Sequence, residues 1–200
     1  MAGTAVVFVD VTNEVLHEKG TLGGDLPKVA RGLLDATARL VSWARTRDVP
    51  VIWVRTAFRP GYIDATRSMR ASAAELNGRL VDGTWGAELV DGLGRRAGDI
   101  VITKKRPSAF FGTELNFVLR GLGSEQLILA GTSTNWAIES TARDADSLDF
   151  QVLIPRDATG ARMGDLHEPA LRSMASRYAT ITTVAEIAAA GAGPDDQAAG

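Results

Sequence analysis

The run Leu127-Ile128-Leu129-Ala130, bounded by Ser124-Glu125 and continued by Gly131-Thr132-Ser133-Thr134-Asn135, constrains this chain more than any other stretch. Unbroken apolar residues of this length read as a strand buried on both faces, which is the habit of a parallel sheet. Beyond it, Ile138, Thr141, Ala142, Ala145 and Leu148 recur at helical spacing, and Thr134 or Asn135 is placed to cap that helix. The product is a strand, a tight turn and a helix N-terminus. Open α/β sheets bind ligands at such strand ends, where free N–H groups and the helix dipole favour developing negative charge. A nucleophile on the first turn would attack a carbonyl with those donors already aimed at the oxyanion. Position 137, where it would sit, is alanine.

The rest of the chain repeats the pattern. Ala5-Val6-Val7-Phe8-Val9 is a second continuous apolar run, ending at Asp10. A carboxylate at that strand end is a candidate functional group as well as an ordinary turn former. Asp10-Val11-Thr12 carries only the first of the two aspartates of the aspartyl phosphatase pattern. Leu26 to Arg47 predicts an amphipathic helix with Val29, Leu33, Leu34, Leu40, Val41 and Ala44 on the buried stripe. Val51 to Val54 predicts a strand ending at Arg55-Thr56, and Ile100 to Ile102 one ending in Thr103-Lys104-Lys105-Arg106-Pro107. Ala71 to Leu80 reads as a short helix, and Asp82 to Gly86 as a turn exposing Trp85. Arg55 and Arg59 are candidate carboxylate ligands and equally ordinary surface charges. Thr113 caps a helix from Glu114 to Arg120. Val152 to Ile154 is a fifth strand, His167 to Tyr178 a helix, and Ala179 to Val184 a last strand. Strands alternating with helices predict one doubly wound α/β domain over residues 1–190, with a six-stranded, mainly parallel sheet and helices on both faces. Residues 191–200, rich in Gly and Ala, read as a flexible tail.

Composition narrows the function classes. A net charge of -2 argues against a surface built to neutralise nucleic-acid phosphates. No apolar run approaches membrane-spanning length. Met1-Ala2-Gly3-Thr4 leads straight into a strand-like run, so no signal peptide is expected and cytoplasm is the expected compartment. The chain has no cysteine, hence no disulfide, thiolate metal site or cysteine nucleophile.

Asp10, Lys104 and position 137 each fall at or just past a predicted strand end, so adjacency of those strands would bring them to one crevice. A carboxylate there can take a proton from a nucleophile and return it to a leaving amine, and a lysine beside it can steady both charges.

Three blocks, in order, resemble the isochorismatase-like cysteine hydrolases, the group that includes N-carbamoylsarcosine amidase, ureidoacrylate and biuret hydrolases and nicotinamidases. They are the strand ending in Asp10, with Thr12-Asn13 where Gln-Asn is common; Lys104 to Thr113, with Lys104 four residues before Ser108-Ala109-Phe110; and Gly131 to Ala145. The resemblance runs from about Ala5 to Ile187. It implies a Rossmann-like three-layer fold and a triad of Asp10, Lys104 and a cysteine at the place of Ala137. It implies a cis peptide at Thr132–Ser133 that turns the Ser133 N–H towards the site, where it forms an oxyanion hole with the N–H of residue 137. The family's nicotinamidases hold a metal through an Asp and several His. With only His17 and His167 here, the expectation is no metal, no cofactor and a substrate other than nicotinamide. His167, at a predicted helix start, is expected to cap or to lie on the surface. Asn13, Trp85, Phe110, Asn135 and Trp136 are candidate pocket lining, each equally a packing residue, and Trp136 is also a candidate for a subunit interface. A homo-oligomer, dimer or tetramer, is implied by the resemblance alone.

Ala137 leaves three readings. The first is a cysteine amidase acting on a small amide, carbamoyl or ureido substrate, with its nucleophile replaced. The second is a naturally cysteine-free isochorismatase that cleaves a vinyl ether with Asp10 as general acid. The third is a non-catalytic binding or scaffold protein, against which the retained Asp10 and Lys104 argue, because ionisable groups in a partly buried site are costly without a role.

Overall fold

The computed structural model describes residues 3–71 and 73–190; the predicted tail at 191–200 lies outside the described residues. In chain order the strands are β1 (Thr4–Val9), β2 (Val51–Thr56), β3 (Ile100–Lys104), β4 (Gln126–Thr132), β5 (Gln151–Pro155), the two-residue β6 (Thr159–Gly160) and β7 (Thr180–Thr182). The helices are α1 (Asn13–Leu16), α2 (Leu26–Thr46), α3 (Arg67–Ala71), α4 (Ala73–Leu76), α5 (Leu115–Gly121), α6 (Glu139–Ser147), α7 (His167–Ala175) and α8 (Val184–Ala190).

The strands form one sheet in the order β3-β2-β1-β4-β5-β7, every pairing parallel, with β6 added beside the end of β4. Parallel strands need crossover helices, and these cover both faces. That is why β1 is buried at every position. Val7 and Val9 face one layer with Leu115 and Leu119 of α5, Ala142 and Ala145 of α6, and Leu171 and Met174 of α7. Val6 and Phe8 face the other, with Leu33, Leu40, Val41 and Ala44 of α2 and Val184 and Ile187 of α8. The strand order reverses between β1 and β4, so the crevice at their carboxyl ends is the topological switch point where open α/β sheets take ligands. There β4 runs hard against β1: at Gly131, φ +114°, a Cβ would stand 2.0 Å from the Val9 carbonyl oxygen.

Four local expectations need correcting. Val29 is 56% exposed, whereas Leu33, Leu40, Val41 and Ala44 are buried as expected and Leu26, Ala30 and Ala36 complete the stripe; the face that meets the sheet passes through Ala30, one position further round the helix. The helix expected over 71–80 is two short pieces, α3 and α4, and the chain leaves α4 through Asn77 and Gly78 with positive φ. Neither Thr134 nor Asn135 caps the helix after β4; Ser133 holds the N-cap position, without a side-chain cap bond. The last strand stops at Thr182, and a helix absent from the sequence reading follows. It starts at a reciprocal cap: the Thr183 hydroxyl accepts the Glu186 N–H (3.2 Å) and the Glu186 carboxylate accepts the Thr183 N–H (2.8 Å).

Candidate active site

Asp10 follows β1 directly, and its φ of 52° lets the chain turn away from the sheet there. The turn leaves its carboxylate facing the neighbouring strands. Oδ1 accepts the Thr56 N–H from the end of β2 (2.7 Å), and Oδ2 meets the Lys104 ammonium from the end of β3 at 2.8 Å. Lys104 is 2% exposed. Its remaining donors go to the Thr56 hydroxyl (2.8 Å) and the Arg106 carbonyl (3.2 Å). Three adjacent strand ends therefore build one satisfied ion pair, the condition under which buried charge is tolerated. Of the neighbouring lysines, Lys104 is the one that meets Asp10; the Lys105 ammonium goes to the Ala57 carbonyl and to Asp64 (3.3 Å).

Across the switch point, the Thr132 hydroxyl donates to the Asp10 carbonyl (2.8 Å), tying the two strand ends together. The Thr132–Ser133 peptide is cis. The chain then makes one π-helical turn, Thr134–Ile138, before α6. Such wide turns recur at functional sites. The Ser133 carbonyl accepts the N–H groups of Trp136 (3.0 Å) and Ile138 (3.1 Å), on either side of Ala137. Ala137 is 2% exposed. The Thr141 hydroxyl donates to the Ala137 carbonyl (2.6 Å), and the Thr141 hydroxyl oxygen in turn accepts the Ala109 N–H (2.9 Å). The Ser108 hydroxyl, 2.5 Å from an Asp144 carboxylate oxygen, pins the other end of that loop to α6. The 104–113 block is thus held both to β1 and to the turn at 137.

The proposed lining residues separate into two groups. Asn13 is buried, and its amide donates to the Trp85 carbonyl (2.9 Å), holding the 85–87 turn over the end of β1. Trp85 is half exposed, with its ring edge-on to His17 at 5.1 Å. Beneath them Glu14, which sequence reasoning missed, is buried. It accepts the N–H (2.9 Å) and the hydroxyl (2.7 Å) of Thr21 and lies against Gly86, where a Cβ would stand 2.5 Å from Oε2. The only sequence signal was an acidic residue beside Asn13. Phe110 is in the core, its ring stacked on Phe150 at 5.8 Å. Asn135 is half-buried on the turn, and Trp136 is 61% exposed. Arg55 is neither a free surface charge nor a free ligand, since it is largely buried and paired with Asp82 (2.8 Å) and Glu88 (3.0 Å). His167 is half-buried, with Nδ1 2.8 Å from the Thr134 hydroxyl. Among the described residues no group of three or more His, Cys, Asp or Glu is placed to hold a metal ion, and no helix is long and apolar enough to cross a membrane.

A doubly wound parallel sheet with an Asp–Lys ion pair on one side of its switch point and a cis-peptide turn on the other makes a strand-end site. The chain belongs to the isochorismatase domain family, whose model matches residues 4–186. It is 32% identical, over 94% of its length and 82% of the relative's, to ureidoacrylate amidohydrolase RutB of Methylorubrum extorquens. Among solved structures it resembles an isochorismatase family protein from Desulfovibrio vulgaris (TM-score 0.86, 30% identity, 95% and 98% of the two chains covered). It also resembles N-carbamoylsarcosine amidase from Thermoplasma acidophilum (TM-score 0.76, 25% identity, 90% and 96% covered). These likenesses support a hydrolase of the amidase type.

Proposed function

We propose that this protein is a metal-independent hydrolase of C–N bonds in small amide, carbamoyl or ureido compounds, with alanine standing where its nucleophilic cysteine belongs. The observation that carries this reading is the Asp10–Lys104 pair, 2.8 Å apart with Lys104 buried, at the carboxyl end of the sheet where such folds take ligands. The relatives named for ureidoacrylate and N-carbamoylsarcosine support the substrate class.

With a thiol at 137, Asp10 takes its proton and the thiolate attacks the substrate carbonyl. The N–H groups of Ser133 and residue 137 receive the oxyanion. Asp10 returns the proton to the leaving amine or ammonia, then takes one from the water that hydrolyses the thioester. Lys104 steadies the carboxylate throughout. With alanine the carbonyl site stays and the attack is lost, so substrate binds uncleaved. Asn13, Trp85, Asn135 and Trp136 line the pocket in this proposal. Phe110, stacked in the core, shapes it from behind. We place the protein in the cytoplasm as a homo-oligomer, a state that sedimentation of the purified chain tests.

The test is ammonia release from a panel of ureido, carbamoyl and simple amide compounds by the chain and by its Ala137→Cys variant. Release by the cysteine variant alone supports the proposal and names the substrate class; silence of that variant on the whole panel sinks it. The absence of any thiol favours one second reading, a vinyl-ether hydrolase in which Asp10 protonates the substrate and water adds. Pyruvate release from isochorismate by the unmodified chain, abolished by Asp10→Asn, establishes that reading instead.

A further inference from the structure

We propose that His167 is a positioning residue: its neutral imidazole accepts the Thr134 hydroxyl at Nδ1 and so fixes the π-helical turn that carries position 137. The inference rests on the reading of that turn as part of the reactive site.

Thr134 is fully buried and opens the turn. Its carbonyl accepts the Glu139 N–H that closes it. Its hydroxyl has one hydrogen-bond partner among the described residues, His167 Nδ1 at 2.8 Å. A buried hydroxyl proton left without an acceptor costs about 1–3 kcal/mol. The arrangement that satisfies it puts the ring proton on Nε2 and leaves Nδ1 bare. An imidazolium has no bare nitrogen, so protonation of His167 turns Nδ1 into a donor and orphans the Thr134 proton.

The surroundings of the ring favour the neutral form. His167 is the first residue of α7, at the positive end of the helix dipole. Burial pushes its pKa below the ordinary value of 6.5; Glu168 opposes the shift and Arg156 reinforces it. Glu168 and Arg156 are bonded to each other at 2.6 Å, so their opposite charges largely cancel at the ring. The π-helical turn brings no titratable side chain. On α6, Glu139 and Arg143 are paired with each other, and Tyr178 beyond α7 donates to Glu139. Asp165, in the turn before α7, and Arg172, one turn further along it, are exposed.

The chain has two histidines, so in a His17→Gln variant the imidazole 15N signals report His167 alone. The expected result is a proton on Nε2 and a bare Nδ1, with a midpoint below the ordinary histidine value that rises in Thr134→Val and stays put in Thr134→Ser. Amide exchange at residues 135–138, corrected for its intrinsic pH dependence, is then expected to quicken about tenfold in Thr134→Val and in the unmodified chain below the His167 midpoint, with α2 unchanged. His167→Gln, whose amide oxygen keeps an acceptor in place, retains protection and loses the pH dependence; it also serves should Thr134→Val not fold. A proton found on Nδ1, or equal exchange in the Thr134→Val and Thr134→Ser proteins, overturns the proposal. Neither readout needs turnover, so an inactive Ala137→Cys protein sinks the functional reading while leaving this one to its own measurements. If Ala137→Cys is active, Thr134→Val lowers its kcat about tenfold with KM within about threefold, and an unchanged kcat counts against the positioning role.

Discussion

The two banks of the crevice are held by different physics. On the Asp10 bank, side chains from the ends of β1, β2 and β3 satisfy one another's charges, and the backbone follows. On the 137 bank the backbone is held directly. The Ser133 and Ala137 carbonyls are bonded within the turn and by Thr141, and Thr134 is bonded by His167. The side chain of residue 137 adds a buried methyl to the core but none of the polar bonds that hold the turn. A nucleophile can therefore be absent while the turn that would present it keeps its form. On the first bank Asp10 and Lys104 are each other's partner, and removing either leaves the other charge alone.

The seam between the banks is the sharpest place to break the comparison. Gly131→Ala drives a Cβ into the Val9 carbonyl at a φ that side chains avoid. We expect a loss above about 4 kcal/mol in urea unfolding, or no folded protein. Next in size is the charged bank. Lys104→Met strands the Asp10 carboxylate and is expected to cost about 3–5 kcal/mol, whereas the double variant Asp10→Asn/Lys104→Met recovers most of that loss. Additive losses would show that the two charges do not depend on each other. On the other bank, Thr141→Val removes the acceptor of the Ala109 N–H and the donor to the Ala137 carbonyl together. The expected cost is about 1–3 kcal/mol, read from the shift of the urea midpoint at unchanged slope. Ala137→Cys should change stability by less than about 1 kcal/mol, and a larger loss would mean that the turn does depend on the side chain there.

The smallest expected effect is a slope with pH. The folded chain holds His167 below its ordinary value of 6.5, so it binds fewer protons there than the unfolded chain does. Stability from this group is present above about 6.5 and declines as pH falls below it. Thermal unfolding between pH 5 and pH 7 should show a shallower slope in His167→Gln than in the unmodified protein. Equal slopes would assign the pH dependence to other groups.

Much of the plan was legible from residues because it depends on local pattern. Continuous apolar runs identified buried parallel strands, and helical spacing identified the helices between them. The three positions that matter were expected at strand ends, and Asp10 and Lys104 lie there. The Thr-x-x-Glu of residues 183–186 was a readable helix start that went unread, so α8 was missed. Other features had no local signal. Val29 is apolar yet exposed on α2, because hydrophobicity alone does not say which edge of an apolar stripe the sheet covers. The depth of Glu14 beneath Gly86, the pairing of Arg55 with Asp82 and Glu88, and the bond from His167 to Thr134 all join segments far apart in the chain.

By itself, then, the sequence determined an α/β alternation, a carboxylate and a lysine at strand ends, and the absence of any thiol. These are matters of residue type and short-range period, which a linear chain carries openly. The placing of β1 between β2 and β4, and with it the pairing of Asp10 with Lys104 and the bond from Thr132 to the Asp10 carbonyl, came from the assembled fold. Strand order is settled by which apolar faces can be covered together and which buried charges can find a partner. Both are properties of the assembled sheet.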